Sequence, residues 1–113
     1  MNAIVQEIPK SQWIESLNDL SRRHQGWRIS VEVLSQDLGA QPLVDDMPLL
    51  GLRFDPQGSE AGDIVIEIGD ATEHLMNHHV DRPDQLWLSE MQPGAEVDIE
   101  IEAEGGNKTL LRL

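Results

Sequence analysis

Residues 11–33 read SQWIESLNDLSRRHQGWRISVEV, and the spacing of their apolar residues changes at Gly26. Before Gly26 the apolar residues recur with helical spacing, which predicts an amphipathic helix with Ser11 as its N-cap. Its apolar positions are Trp13, Ile14, Leu17 and Leu20. Gly26 is expected to end this helix at the C′ position. From Trp27 onward apolar and polar residues alternate, which predicts a half-buried antiparallel strand after the helix.

The alternation of apolar and polar residues continues in short runs toward the C-terminus, each bounded by turn residues. The clearest runs are 50–54, 64–68, 86–88, 97–101 and 108–113, whereas 36–48 gives a weak signal. These runs predict one α+β domain over residues 1–113. We expect the N-terminal helix to pack on an antiparallel, barrel-like (SH3-like or similar) sheet of five to seven short strands.

The last two strands are predicted to form a hairpin around the Gly-Gly-Asn sequence at 105–107. A three-residue loop places Ile101 opposite Leu111, whereas a two-residue loop places Ile101 opposite Arg112. We favour the three-residue loop, with Asn107 in the left-handed conformation, because an error of register moves side chains onto the wrong partner or face.

The chain carries a formal net charge of −13, and this charge is unevenly distributed. The first 34 residues hold four acidic and four basic side chains, whereas residues 35–113 hold 17 acidic and 4 basic ones. Direct binding to nucleic acid or to an anionic membrane is disfavoured, because both depend on Lys and Arg. An apolar content of 39% nevertheless predicts a folded protein.

The composition also limits the redox chemistry and the location of the protein. The sequence contains no Cys, which excludes disulfides and thiolate metal sites. The first residues have no basic segment followed by an apolar run, and no stretch reaches the length of a membrane span. We therefore expect a soluble, cytoplasmic protein.

A histidine-rich stretch at residues 73–81 is the one candidate for a metal site. His74 and His78 are four residues apart, so either a helix or a strand places them on one side, where they are able to share a Zn²⁺ or Ni²⁺ ion with a carboxylate. Partly buried or surface histidines explain the same pattern, and we favour that interpretation. No metal ligand is therefore assigned.

The sequence contains no convincing catalytic pattern. Paired acids such as Glu100 and Glu102 are expected by chance in a chain with 21 acidic residues, and they fit a solvated strand face. Phosphate-binding glycine motifs and nucleophile motifs are absent from the sequence. We therefore predict no catalytic residues, no cofactor and no enzymatic activity.

Two apolar residues do not fit the alternation of their strands. Trp13, Trp27 and Phe54 occupy predicted core positions, but Trp87 stands between Leu86 and Leu88, and Val65 stands in the same way between two isoleucines. Burial under a loop or the helix is the favoured explanation. A surface patch for self-association or for a partner at Trp87 and Val65 is the alternative.

Several segments together resemble a small bacterial family known only as a domain of unknown function. These segments are the N-terminal tryptophan helix, 36–41 (QDLGAQ), 48–52 (PLLGL), His74-Leu75 followed by Pro83, and the closing glycine-rich hairpin. The resemblance covers nearly the whole chain and implies a bacterial, stand-alone, single-domain protein. It implies no activity, ligand or catalytic residue.

We therefore predict a non-enzymatic, acidic interaction or regulatory module that binds a basic protein patch or forms a homodimer. One alternative is a metal-binding protein that uses His74 and His78. Another is an acidic mimic of nucleic acid that occupies a DNA-binding protein.

Overall fold

One α-helix and eight β-strands form the part of the chain that this computed structural model describes, which comprises residues 4–57, 62–69, 72, 74–90 and 97–113. The elements are β1 (Ile4–Ile8), a 3₁₀ turn (Lys10–Gln12), α1 (Trp13–His24), β2 (Arg28–Ser35), β3 (Gly39–Asp55), β4 (Asp63–Gly69), β5 (His74–Asp81), β6 (Pro83–Glu90), β7 (Val97–Ala103) and β8 (Lys108–Arg112).

The strands form one antiparallel sheet in the order β1-β6-β7-β8-β2-β3-β4-β5. The predicted α+β class and antiparallel sheet are confirmed, but five to seven strands was too few and the barrel was wrong. β5 and β6 follow each other through Arg82, which has a φ of +48°, yet they are not neighbours in the sheet. Because β1 and β5 are the two ends of this strand order, the sheet is open.

The long strand β3 explains why residues 36–48 gave a weak signal. Its first part, up to Pro48, pairs with β2, and its second part, from Leu49, pairs with β4. Register slips interrupt both pairings, and Asp46 adopts a φ of +55°. These interruptions break the alternation of apolar residues from which strands are predicted.

Helix α1 begins one residue later than expected. The 3₁₀ turn occupies Lys10–Gln12, so Gln12 is the N-cap of α1, and the prediction of Ser11 as the N-cap was wrong. Gly26 does follow the C-cap, with a φ of +86°, and its N–H donates to the Leu49 carbonyl at 2.8 Å. Glycine adopts this left-handed conformation without the strain of a side chain.

The core lies between α1 and the inner side of the curved sheet. Trp13 is buried, donates its indole N–H to the Ile8 carbonyl at 2.8 Å and meets Phe54 edge to face at 5.6 Å. Leu17 and Leu20 are buried beside it, whereas Ile14 is 55% exposed. Trp27 is 39% exposed and contacts the His24 ring, so its predicted core position was wrong.

The C-terminal hairpin has a register that neither predicted loop gives. Ile101 pairs with Thr109, Ala103 N–H donates to the Asn107 carbonyl, and positive φ angles occur at Gly105 and Gly106 rather than at Asn107. The observed loop is therefore shifted by one residue from the favoured one. Because each pairing moves by two positions, the inward and outward faces remain as predicted.

Candidate functional site

The outer face of the sheet, which is the side of β1, β6, β7, β8 and β2 turned away from the core, places Trp87 among acidic side chains. Leu86 and Leu88 are buried in the core, so strand alternation puts Trp87 on the opposite side. Trp87 is partly buried there, and its indole Nε1 has no hydrogen-bond partner among the described residues. Burial under a loop or under the helix was expected; α1 packs mainly against β3 and contributes its buried residues to the core.

The register aligns one row of residues across five strands of this face. The row, which we name the central row, consists of Glu7, Trp87, Glu100, Leu110 and Glu32 in spatial order. Acidic and apolar residues alternate along it. Directly opposed side chains in antiparallel strands lie about 5 Å apart at Cβ, so each apolar side chain has an acidic neighbour on both sides.

An open groove with a volume of about 390 Å³ surrounds Trp87. This Trp87 groove is lined by Val5, Trp87, Ser89, Asp98, Glu100, Glu102 and Leu110. A second depression, of about 420 Å³, is also lined by Leu110 and includes Glu32, Asp45 and Arg112. The two depressions therefore meet at Leu110.

Most acidic side chains of the groove lack an internal counter-ion. Lys108 lies 3.3 Å from Glu102, but Asp98 and Glu100 form no ion pair or hydrogen bond with a described residue. Arg112 is opposite Asp98 in the register without a salt bridge. The groove therefore keeps a negative charge that attracts cations.

Val65, the other apolar residue that broke its strand pattern, is completely buried. It lies between Arg53 and His79 in the register of β3, β4 and β5. Arg53 approaches Glu67 at 3.5 Å, and His79 approaches the carboxylate of Asp63 at 3.4 Å. The favoured interpretation of burial therefore fits Val65, which contributes nothing to the exposed surface.

Of the two candidate metal ligands, His74 and His78, the structure describes the side chain of His78 only. His74 lies in β5, but its side chain is outside the described residues, and the register slips by one residue between Met76 and His74. Burial lowers the pKa of His78, helped by the charge of His79 and opposed by Asp81. No group of three metal-binding side chains occurs among the described residues, and the His74 and His78 site stays a prediction.

His78 lines a cleft of about 510 Å³ at the end of the core. Val33 and Thr109 line it from β2 and β8, and Asp81, Arg82 and Glu104 are its charged residues. The cleft separates β5 from the β7–β8 hairpin. It contains titratable groups of both signs, but no set of them is arranged for an identifiable reaction.

Sequence reasoning missed a second acidic arrangement, on β3, β4 and β5. Asp55, Asp63 and Asp81 are opposite one another in the register, and Asp63 is buried with one carboxylate oxygen unpartnered within the described part of the chain. Opposed like charges destabilise a sheet. The sequence alone does not show that these three aspartates are neighbours, because they are brought together only by the register of β3, β4 and β5.

Comparisons with known proteins identify relatives of this chain by sequence. The model of a family described as a family of unknown function (DUF5335) matches residues 4–113. The chain belongs to this family. An uncharacterized protein of Aquifex aeolicus (strain VF5) is 31% identical over 106 residues, which cover 94% of this chain and 88% of that protein.

The DUF5335 match confirms the resemblance to a bacterial domain of unknown function. No solved structure matches the chain. Within the described residues, no helix has both the length and the apolar character needed to cross a membrane.

Proposed function

We propose that this protein is a non-enzymatic interaction module that binds a basic protein partner through the outer face of its sheet. The observation that carries the proposal is the central row, in which Trp87 and Leu110 alternate with Glu7, Glu100 and Glu32. Aromatic residues are enriched at protein interfaces, and acidic neighbours select a partner of opposite charge.

The chemistry of the groove favours binding over catalysis. Its polar groups are carboxylates and the Ser89 hydroxyl. Ser89 makes no side-chain hydrogen bond to a described residue, whereas an activated serine needs an adjacent base. The remaining side chains are apolar and lie on paired strands, which hold them in fixed positions.

The charge also favours a foreign partner over a second copy of the chain. A homodimer through this face brings acidic rows together from two chains that each carry −13. Such like-charge contacts cost energy in an interface. The proposed partner is therefore a basic protein. We expect this interaction to take place in the cytoplasm.

The experiment places a photoreactive amino acid at Leu110, in the central row, and compares it with the same substitution at Ile14, which is exposed on the helix. Cross-linking is performed in living cells of the source organism, and the products are identified by mass spectrometry. We expect the Leu110 variant to cross-link a basic protein that the Ile14 variant does not. In a second experiment, on a lysate, this cross-link is expected to disappear when the salt concentration is raised before irradiation.

The outcomes separate the remaining alternatives. Identical products at both positions would show that the outer face is not the interface, and self-cross-linking at Leu110 would favour a homodimer. A DNA-binding partner that is released by duplex DNA would support the nucleic-acid mimic. Zinc binding in calorimetry that disappears in His78→Ala would instead support the metal-binding hypothesis.

A further inference from the structure

We infer that the Trp87 groove binds an extended basic segment of the partner, with arginine at alternate positions. This inference rests on the proposed function, because it assigns the chemistry of the partner to the same face. Three features of the groove support it. An aromatic ring lies beside carboxylates, and the carboxylates of β7 are evenly spaced. One of these carboxylates, Glu102, already pairs with an internal cation, Lys108.

Trp87 and Glu100 together form a binding site for one cation. They are opposite each other on β6 and β7, and Leu110 follows on the far side of Glu100. Glu100 is half-buried between these two apolar side chains and forms no ion pair with a described residue. A cation over the Trp87 ring gains both the attraction of the aromatic face and the charge of Glu100.

The acidic residues of β7 repeat with the period of an extended chain. Asp98, Glu100 and Glu102 occupy alternate positions, which places them about 7 Å apart along the strand. Alternate side chains of an extended peptide have the same spacing of about 7 Å. Basic residues at every second position of a peptide lying along β7 therefore meet successive carboxylates.

Arginine fits this groove better than lysine. Its planar guanidinium group stacks on aromatic rings and donates two parallel hydrogen bonds to a carboxylate, whereas the lysine ammonium group is a strongly hydrated point charge. Lys108 lies 3.3 Å from Glu102, which shows that this row of acids accepts a cation in the folded protein. Asp98 and Glu100 remain for the partner.

The test measures the affinity of three blocked heptapeptides by titration calorimetry and maps the contacts by NMR chemical shifts. The first peptide alternates arginine with serine, the second replaces arginine with lysine, and the third has the same composition as the first with its three arginines contiguous. We expect the alternating arginine peptide to bind at least about threefold more tightly than either of the others.

Two variants test the position of binding. Glu100→Gln preserves the shape of the side chain and is expected to weaken binding about tenfold at low salt. Trp87→Phe keeps an aromatic ring with a weaker cation–π attraction and is expected to weaken binding about threefold. Glu15→Gln is the matched control, because it also removes one negative charge but at an exposed position of α1 away from the groove. It is expected to change the affinity less than twofold.

The inference is overturned if the contiguous peptide binds equally well, if Glu15→Gln has the same effect as Glu100→Gln, or if no arginine peptide binds. A partner cross-linked at Leu110 in the absence of peptide binding rejects the arginine inference and leaves the proposed function intact. Peptide binding without a cross-linked partner at Leu110 rejects the proposed function instead.

Discussion

The surroundings of Trp87 and Val65 differ, although the two residues have the same sequence context. Each follows and precedes a buried aliphatic residue on its strand. Val65 lies between Arg53 and His79, and each of these side chains approaches an acidic residue of the same region. Trp87 has Glu7 and Glu100 as cross-strand neighbours, and both acids lack a described counter-ion.

The comparison shows that cross-strand neighbours, rather than the strand's own sequence, decide whether an outward apolar residue is covered. Arg53 and His79 flank the buried Val65, and they contact Glu67 and Asp63 respectively. Trp87 lies between Glu7 and Glu100 and remains partly exposed. We call the part of β3, β4 and β5 around Val65 the closed region, and the part of the outer face around Trp87 the open region.

The largest difference is expected when the apolar side chain of each region is truncated. Val65→Ala removes two buried methyl groups and is expected to lower the free energy of unfolding by about 2.5 kcal/mol, because the surrounding strands cannot fill the cavity completely. Leu110→Ala removes a larger but half-exposed side chain and is expected to cost about 1 kcal/mol. Urea denaturation measures both values. A larger loss at Leu110 would contradict the assignment of the closed and open regions.

A smaller difference is expected between two tryptophans. Trp13→Phe leaves the Ile8 carbonyl without its indole donor in the core and is expected to cost about 2 kcal/mol. Trp87→Phe removes an N–H group that has no partner among the described residues and is expected to cost less than about 1 kcal/mol. Thermal unfolding of the two variants measures the difference. Equal destabilisation would mean that the Trp87 indole N–H is paired in solution.

The pH dependence of stability distinguishes His78 from His79, two of the histidines of β5. Because burial lowers the pKa of His78 below 6.5, the unfolded chain binds a proton at higher pH than the folded chain. His78 therefore contributes stability above pH 6.5 that is lost as the pH falls through the folded-state pKa. We expect His78→Gln to lose less stability than wild type between about pH 7 and pH 5.

The control for this pH effect is His79→Gln, which retains the half-buried histidine. The free energy of unfolding is measured by urea denaturation at each pH for the three proteins. His79→Gln is expected to keep a steeper loss of stability on acidification than His78→Gln does. A shallower loss in His79→Gln would assign the acid sensitivity to the closed region around Val65.

The smallest effect is expected from the internal cation of the Trp87 groove. Lys108→Met removes the ion pair with Glu102 and keeps a long side chain over the strand. We expect the affinity for the alternating arginine peptide to rise about twofold, because one more carboxylate becomes available at an exposed site. Titration calorimetry measures this change. Unchanged affinity would show that the peptide contacts only Asp98 and Glu100.

Local patterns were sufficient to predict much of the fold. The apolar face of α1, its end at Gly26 and the inward positions of Ile99, Ile101 and Leu111 follow from spacing alone. β1, β5 and the first part of β3 were not predicted as strands. β1 is only five residues long, the spacing in β5 fitted a helix as well as a strand, and β3 contains two prolines and register slips that mask its alternation.

The candidate site was predictable only in part. The sequence identified Trp87 and the alternating acids of β7, but it did not show that they face the same groove. This depends on which strands are neighbours and in what register, and β1 and β8 add residues to the groove from other parts of the sequence. For the same reason, Val65 and Trp87 were indistinguishable until Arg53 and His79 were placed beside Val65.

The long strand β3 links the closed and the open region of the sheet. Its first part hydrogen-bonds to β2 and its second part to β4, so one continuous backbone segment connects the two regions. Detachment of β4 and β5 removes the hydrogen-bonding partner of the second part of β3. We therefore expect backbone amides of β2 and β4 to exchange with solvent in the same cooperative opening event.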